Sequence, residues 1–243
     1  MRILQLNVWD GRINGALIDY LSQNRFDVIC MQEAVWLDQD DRGVHSGFFA
    51  LTDELKQASG LEYDSRSINW SVNSFLGHTL NQGNVILSRE KIIEEKIVTV
   101  FDGIKELKSE QDFYDHRYTA QRVKLESGLN IVNYHGYWQK QPLGNEDTVK
   151  AMKNVAALIK EADGPLVMCG DLNIIYAAPA MRELDFLRDL TEENHIDNTL
   201  SGLKFGGKVA CDHILVNDAV SVVDFQIVDK TISDHKGLVV EIK

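Results

Sequence analysis

The stretch from Gly83 to Tyr137 decides the fold class, because it carries four strand-like segments in succession. They are GNVILS (83–88), IVTVF (97–101), TAQRVKL (119–125) and NIVNYHGY (130–137). Short runs rich in β-branched and aromatic residues and separated by polar residues are typical of strands. So many strands in a row do not fit a simple series of alternating strands and helices.

Further strands and a few helices are predicted on both sides of this stretch. Apolar residues at helical spacing predict helices over residues 13–24, 48–58, 146–162 and 180–187. The other predicted strands are RILQLNVW (2–9), DVICMQE (27–33), PLVMCGD (165–171), CDHILV (211–216), VSVVDFQIV (220–228) and GLVVEI (237–242). We therefore expect an α/β fold in which two sheets pack face to face with helices outside.

The composition limits the kinds of partner that this chain can bind. It has 243 residues, 44% of them apolar, and no repeat or linker-like segment, so we expect one domain over residues 1–243. Its 25 Lys and Arg against 37 Asp and Glu give a formal net charge of −12. That charge argues against a broad basic face for coating duplex nucleic acid. It is compatible with carboxylates that hold a divalent cation.

The apolar runs and the cysteines predict a cytoplasmic protein with no membrane partner. The longest unbroken apolar run, Val155 to Ile159, is far shorter than a membrane span or the core of a secretory signal. Cys30, Cys169 and Cys211 lie in apolar stretches without a CxxC pair, so we expect buried free thiols in a reducing compartment. A monomer is the default expectation.

Polar residues stand at the ends of several predicted strands. They are Asn7, Glu33, His135, Asp171 with Asn173, Asp212, and Asp234 with His235. Each alone is an ordinary turn or cap residue. Together, the carboxylates and amides provide the oxygen ligands that Mg²⁺ prefers, and histidine is suited to proton transfer near neutral pH. The combination therefore indicates a metal-dependent hydrolytic site.

The order of these residues, with Gly83-Asn84 (GNVILSR), GDLN (170–173) and SDH (233–235), resembles the endonuclease/exonuclease/phosphatase superfamily. That superfamily includes deoxyribonuclease I, AP endonucleases, neutral sphingomyelinases, inositol-polyphosphate 5-phosphatases and deadenylases. The resemblance runs from residue 7 to residue 240. It implies a four-layer α/β sandwich, with two packed mixed β-sheets flanked by helices.

The resemblance also implies a metal site. Glu33 is the expected principal ligand of Mg²⁺, for which Mn²⁺ is an expected substitute, and Asn7 lies beside it. Asp234 is expected to be a further carboxylate on the metal side.

The expected catalytic residues follow from the same resemblance. Asp171 and Asn173 would orient the attacking water and contact the phosphate, and Asp212 would fix the tautomer of His235. His135 matches the histidine of the deoxyribonuclease I, sphingomyelinase and deadenylase branches. His235 is assigned to the water side and His135 to the leaving group, with the reverse assignment left open.

Weaker predictions concern substrate binding. Asn84, Lys204 and Lys208 are candidates, the two lysines because a glycine-rich loop in this family would lie beside the site. Residues 202–208 also fit G-x-x-x-x-G-K, but Val209 replaces the Ser or Thr of a P-loop. Tryptophans in or near predicted loops could stack bases, or close small local cores instead. They are Trp36, Trp70 and Trp138.

Three functions remain open at this point. The first is a Mg²⁺-dependent phosphodiesterase acting on nucleic-acid ends, short single strands or nucleotide-like diesters. The second is a phosphomonoesterase or a lipid or inositol-phosphate headgroup hydrolase on the same fold. The third is a catalytically silent binding module, which the intact set of motif residues disfavours. The acidic composition favours a small or locally bound phosphodiester substrate over a long duplex.

Overall fold

Two mixed six-stranded sheets form the centre of the computed structural model, which describes residues 1–38, 48–75, 77–203 and 208–243. Sheet 1 has the order β11-β12-β1-β2-β4-β3. Its strands are β1 (Arg2–Asn7), β2 (Val28–Leu37), β3 (Tyr63–Phe75), β4 (His78–Ser88), β11 (Val222–Ile227) and β12 (Leu238–Ile242). Strand β1 runs parallel to β2 and antiparallel to β12.

Sheet 2 has the order β5-β6-β7-β8-β10-β9. Its strands are β5 (Ile92–Phe101), β6 (Tyr118–Leu125), β7 (Asn130–His135), β8 (Leu166–Asp171), β9 (Arg188–Asp189) and β10 (Asp212–Val216). Strands β7 and β8 are parallel, and their neighbours are antiparallel. Each sheet thus has one parallel pair near its centre.

Helices cover the outer faces of both sheets. The described α-helices are α1 (Asn14–Gln23), α2 (Thr52–Ser59), α3 (Glu146–Lys160) and α4 (Leu190–Glu193). Leu17 of α1 and Leu55 of α2 pack against Leu4 and Leu6 of sheet 1, whereas α3 packs on sheet 2 through Val155 and its neighbours. The result is the four-layer α/β sandwich that the sequence predicts.

Helix α3 follows directly from its local sequence. Oδ1 of Asn145 accepts a hydrogen bond from the backbone N–H of Thr148 at 3.0 Å, which satisfies a free donor of the first turn. Two acidic residues follow in that turn, where they complement the helix dipole. The helix ends at Lys160, shortly before Gly164, which adopts a φ of +87°. Its apolar face therefore meets sheet 2 over four turns.

The faces that the two sheets turn toward each other change from apolar to polar along each central strand. In β1, Ile3 lies in the core between the sheets, whereas Leu4 and Leu6 point toward the helices. The polar residues on the inner face are Gln5 and then Asn7, as the period of two requires. In β7, the core residue Ile131 is followed on the same face by Asn133 and His135. Both strands therefore end in polar side chains at the same edge of the sandwich.

The structure differs in several places from the local predictions. Tyr63–Phe75 forms the 13-residue strand β3 in a segment with no predicted strand, and β4 begins at His78, five residues before the predicted strand at 83–88. Trp36 and Trp70 lie in strands rather than loops and are at most 8% exposed, which agrees with the alternative that they close local cores. The segment 180–187, predicted as a short helix, contains most of a 3₁₀ helix at Pro179–Leu184.

Candidate active site

The candidate site lies where central strands of both sheets end. Nδ2 of Asn7 donates to Oε1 of Glu33 and to Oδ2 of Asp171, both at 3.0 Å. Asn7 and Glu33 come from sheet 1, and Asp171 ends β8 in sheet 2. One side-chain amide therefore joins two carboxylates across the interface between the sheets.

A β-bulge places Glu33 in this cluster. The register between β2 and β4 shifts between Met31 and Ala34, and Glu33 has a φ of +52°. Strict alternation after Gln32, which faces sheet 2, would turn Glu33 toward the helices. The extra residue of the bulge and the left-handed backbone instead bring its carboxylate to Asn7. A non-glycine residue in this conformation is strained, and such strain is concentrated at functional sites.

Two histidines approach the same carboxylate oxygen. Nε2 of His135 lies 3.6 Å from Oδ2 of Asp171 and 3.7 Å from Oε1 of Glu33. Nε2 of His235 lies 3.7 Å from the same Asp171 oxygen. Nδ1 of His235 is 2.9 Å from Oδ2 of Asp212, so the ring donates this N–H to the carboxylate and turns its Nε2 toward Asp171.

A tight turn after β8 fixes Asn173. Its backbone N–H donates to Oδ1 of Asp171 at 3.0 Å, and its Nδ2 donates to the carbonyl oxygen of Gly136 at 2.9 Å. Asn173 has a φ of +55°, a conformation that asparagine tolerates better than most residues. A Cβ at Gly136 would lie 2.0 Å from the carbonyl oxygen of Leu172, so only glycine allows this approach.

Behind the site lies a buried amide network that sequence reasoning did not assign to the function. Gln5 and Gln32 exchange hydrogen bonds of 2.8 and 2.7 Å, and Nε2 of Gln5 also donates to Oδ1 of Asp212 at 3.1 Å. Nε2 of Gln32 donates to Asn133 of sheet 2 at 2.6 Å. The signal in the sequence was an amide two positions before Asn7 and another two before His135. The network holds the Asp212 carboxylate that orients His235.

Burial and mutual charge shift the protonation of these groups. Burial raises the pKa of Glu33, and nearby Asp10 raises it further, against the opposing charge of His135. Burial would also raise the pKa of Asp171, but His235 and His135 outweigh it and hold that pKa below its usual value. Burial would lower the pKa of His235, yet Asp212 and Asp171 keep it well above the ordinary value. The site is an interacting set of carboxylates and imidazoles.

Two overlapping groups of side chains could hold a cation. The first is the oxygen-rich set of Glu33, Asp171 and Asn7. The second is Asp171, Cys211, Asp212 and His235, whose ligand atoms lie within 4.8 Å of one another. Burial raises the pKa of the Cys211 thiol far above its usual range, and the His235–Asp212 contact is already a hydrogen bond. The first set suits a hard divalent cation, because such ions prefer oxygen ligands.

Asp234 and Asn84 occupy less direct positions. Asp234 is buried beside His235, where its Oδ1 accepts from the Ser233 hydroxyl at 3.2 Å, and its metal role stays a prediction. Asn84 is fully buried opposite the bulge, and its Nδ2 donates to the carbonyl of Thr119 in sheet 2 at 2.7 Å. That enclosed position does not suit the substrate contact expected for Asn84, and its side chain joins the two sheets instead.

The remaining predicted residues lie at the surface or outside the described chain. Lys208 is exposed, with its ammonium 3.0 Å from Asp197, and Lys204 lies outside the described residues. Trp138 follows β7 and is 49% exposed. All three cysteines are buried and free, as expected from the sequence. None of the helices described here is long and apolar enough to cross a membrane.

His213, beside Asp212, belongs to the core. Its Nδ1 lies 2.6 Å from Oδ2 of Asp189, and its Nε2 lies 3.0 Å from the carbonyl oxygen of Ile174. The ring is therefore held within sheet 2, on the opposite face of β10 from Asp212. This is the packing role that the alternation along the strand predicts.

Comparisons with known proteins give one family and a common fold. A family model described as the endonuclease/exonuclease/phosphatase family matches residues 4–235. No curated protein sequence matches the chain significantly. Among solved structures, an endonuclease/exonuclease/phosphatase from Beutenbergia cavernae is 19% identical with a TM-score of 0.68, covering 100% of this chain and 71% of that one.

Two further solved structures cover all of this chain and 99% of their own. A family protein from Leptotrichia buccalis is 21% identical with a TM-score of 0.66. A mannosyl-6-phosphatase from Bacteroides thetaiotaomicron is 14% identical with a TM-score of 0.68. At these identities the likeness to solved structures concerns the fold alone.

Proposed function

Because the chain belongs to the endonuclease/exonuclease/phosphatase family, we propose that it is a divalent-metal-dependent phosphodiesterase. Its proposed substrates are nucleic-acid ends, short single strands or nucleotide-like diesters. The observation that carries the proposal is the convergence of Glu33, Asp171, His135 and His235 around the Asn7 amide, from both sheets. Carboxylates and imidazoles in this arrangement are suited to hydrolysis of a phosphate ester.

The oxygen ligands fit a hard cation such as Mg²⁺. Glu33 and Asp171 direct oxygens toward the same Asn7 amide, and burial disfavours the uncompensated charge of Glu33. Glu33 and Asn7 would hold the ion, with Asp234 as a further carboxylate and Mn²⁺ as a substitute. When bound, the ion supplies Lewis-acid stabilisation of the phosphate and of the leaving oxygen.

On the water side we place Asp171, Asn173 and His235. The hydrogen bond from His235 to Asp212 fixes the ring so that Nε2 is free to meet the water. Asp212 and Asp171 raise the pKa of His235 against the effect of burial, so these carboxylates would stabilise the protonated ring that forms when it takes a proton from the water. The turn that joins Asn173 to Asp171 holds both side chains ready to orient the water and contact the phosphate.

On the other side of the phosphate we place His135. Its Nε2 lies 3.7 Å from Oε1 of Glu33 and 3.6 Å from Oδ2 of Asp171. From there it can donate a hydrogen bond to the leaving oxygen or to a non-bridging oxygen. General acid catalysis of this kind contributes about 10²–10⁴-fold to a rate.

The negative charge of the protein favours a diester over a monoester as the substrate. A monoester carries more negative charge, and the candidate site residues that the structure describes include no dense group of Lys and Arg to offset it. The chain as a whole is acidic, at −12. Sugar phosphates are the monoesters that best test this preference, because a mannosyl-6-phosphatase has the same fold.

The decisive experiment measures hydrolysis of bis(p-nitrophenyl) phosphate with Mg²⁺, with Mn²⁺ and with EDTA. We expect turnover that needs the metal and that Glu33→Gln abolishes. Glu62→Gln, which changes an exposed carboxylate between α2 and β3, is the matched control and should retain full activity. Turnover that persists in EDTA would refute the proposal. A parallel panel of single-stranded DNA, RNA, duplex DNA, mannose 6-phosphate and inositol phosphates would identify the substrate class.

A further inference from the structure

A groove lies between β3 and the segment that connects β5 to β6. It has a volume of about 620 Å³, within the range of small-ligand sites. Its apolar lining comes from Trp70, Val72, Leu107 and Phe113, and its charged lining from Lys108 and Glu110. We call it the Trp70 groove. None of these residues has a part in the proposed hydrolytic chemistry.

The connecting segment is fixed against β3, so the groove is formed in advance of any ligand. The backbone N–H of Leu107 donates to the carbonyl of Ser71 at 2.8 Å, and the N–H of Ser71 donates to that of Lys105 at 2.7 Å. At Gly103 the chain passes so close to Asp115 that a Cβ would lie 2.4 Å from its carbonyl oxygen. A preformed groove loses little conformational entropy when it binds.

An unbroken series of ring contacts links the groove to the candidate active site. The ring centroids of Trp70 and Phe113 are 6.1 Å apart, and those of Phe113 and His116 are 5.2 Å apart. His116 stacks on Tyr118 at 4.2 Å, and Tyr118 meets His135 edge to face at 6.0 Å. Packed rings thus connect the groove to His135, with His116 and Tyr118 buried between them.

Trp70, which lines the groove, also carries an unpaired hydrogen-bond donor. Nε1 of Trp70 is buried and has no hydrogen-bond partner among the residues that the structure describes, although the side chain is 8% exposed. A buried indole N–H normally finds an acceptor, since leaving it unpaired costs free energy. Phe113, 47% exposed, packs edge to face against this indole.

We propose that the Trp70 groove binds a base of a single-stranded nucleic acid whose scissile phosphate lies at His135. A base presents a flat face to Phe113 and hydrogen-bond acceptors to the indole N–H, whereas an alkyl chain offers no acceptor. Lys108 can contact a backbone phosphate at the rim, and Glu110 keeps the groove from being a general anion site. This inference rests on the proposed function, because it names the substrate class of that same site.

The first test measures binding without turnover. Fluorescence anisotropy in EDTA compares a short labelled oligothymidylate with an abasic oligomer of the same length and charge. We expect the base-bearing strand to bind more tightly, and Phe113→Ala to weaken it about 5- to 100-fold, as for loss of one stacked base. The variant should bind the abasic strand as wild type does. Equal affinity of wild type for both strands would overturn the inference.

Matched variants separate the groove from general effects. Phe186→Ala removes an exposed ring that lies beside Lys160 of α3 and should change neither affinity. Trp70→Phe keeps an aromatic ring but removes the N–H, and it should lower affinity for the base-bearing strand alone. If Trp70→Phe does not fold, Phe113→Ala, which changes an exposed side chain, still decides the question.

Hydrolysis then distinguishes the two proposals. Phe113→Ala should lower kcat/KM for the oligothymidylate and leave turnover of bis(p-nitrophenyl) phosphate unchanged. If wild type hydrolyses neither substrate yet binds the base-bearing strand through Phe113, the proposed function is wrong and the assignment of the Trp70 groove as a base-binding site is supported. If wild type hydrolyses both substrates and Phe113→Ala changes neither rate nor affinity, the proposed function stands and the groove assignment is wrong.

Discussion

Asp212 and His235 meet across the two sheets, with Oδ2 of the carboxylate 2.9 Å from Nδ1 of the ring. Asp212 opens β10 in sheet 2, and His235 lies just before β12 in sheet 1. The pair therefore exists only when the sheets are packed in their native register. It fixes which nitrogen of His235 faces Asp171.

The first prediction concerns this pair. Asp212→Asn should lower kcat on bis(p-nitrophenyl) phosphate by about 10²–10⁴-fold, because the amide no longer favours the tautomer that presents Nε2. His235→Ala should cost a similar amount, and the double variant little more than either single one. Steady-state kinetics of the three variants test this. Losses that multiply in the double variant would show that the two residues act independently.

The second prediction concerns stability at Glu33. Its carboxylate is buried enough to raise its pKa, so its charge opposes folding when no cation is bound. Glu33→Gln should raise the metal-free unfolding midpoint by about 2–4 °C, which corresponds to about 1 kcal/mol in a chain of this size. Wild type should gain stability on addition of Mg²⁺, and the variant should not. Calorimetry with and without Mg²⁺ checks both; an equal Mg²⁺ response in the two proteins would exclude Glu33 as a ligand.

The third prediction tests whether the buried amide network contributes to catalysis as well as to the stability of the fold. Gln5→Leu removes the amide donor to Oε1 of Gln32 and to Oδ1 of Asp212, and it should destabilise the fold by about 1–3 kcal/mol. It should also lower kcat by about 10- to 100-fold, as loss of an orienting partner does.

Gln121→Leu is the matched control for Gln5→Leu. Gln121 is equally buried, but its amide bonds to Ser65 and takes no part in the network at Asp212. This variant should lose stability and keep its kcat. Denaturant unfolding and initial rates measured on the same preparations give the comparison. Equal loss of kcat in both variants would show that the network stabilises the fold and has no specific role in catalysis.

The fourth prediction is a pH dependence of stability. Burial lowers the pKa of His116 to about 4, even though its Nδ1–H donates to the carbonyl of Phe113. Above the unfolded value near 6.5 both states are neutral at this residue. As the pH falls from 6.5 to 4, the unfolded chain takes up a proton that the folded chain does not, and stability is lost. This residue should account for about 3 kcal/mol over that range, since each pH unit is worth about 1.4 kcal/mol.

His116→Phe tests that dependence. The phenyl ring preserves the stacking on Tyr118 and cannot be protonated. Denaturant unfolding of wild type and variant from pH 7 to pH 4 should give a shallower loss of stability for the variant. Parallel pH profiles would show that other groups control the acid response.

The sequence predicted the architecture well where alternation and strand ends were informative. Asn7, His135 and Asp171 follow directly from strands whose inner faces become polar at one end. The strand β3 was missed because its segment is polar, with serine and asparagine at alternate positions. Those side chains contact sheet 2, as when Oδ1 of Asn69 accepts from the N–H of Thr119 at 2.9 Å. Only the packing of the two sheets makes a strand of such a segment favourable.

Glu33 shows what local reasoning could not derive. A two-residue period places it on the helix side of sheet 1, away from Asn7. Its place in the site depends on the bulge and on a φ of +52°. Neither feature can be predicted from the residues Met31-Gln32-Glu33-Ala34. The resemblance to a known family identified the residue, whereas the physical account of its position needed the coordinates.

The interleaved order of the sheets also dictates when the site can first exist. Every strand of sheet 2 is complete once the chain has been made to Val216, and by then Asp171 and Asp212 are available. Sheet 1 still lacks β11 and β12, and His235 has yet to be added. A chain growing on the ribosome therefore carries most of the candidate site residues before His235 is present to pair with Asp212. The candidate site is therefore assembled only after the strand that follows His235 has paired with β1.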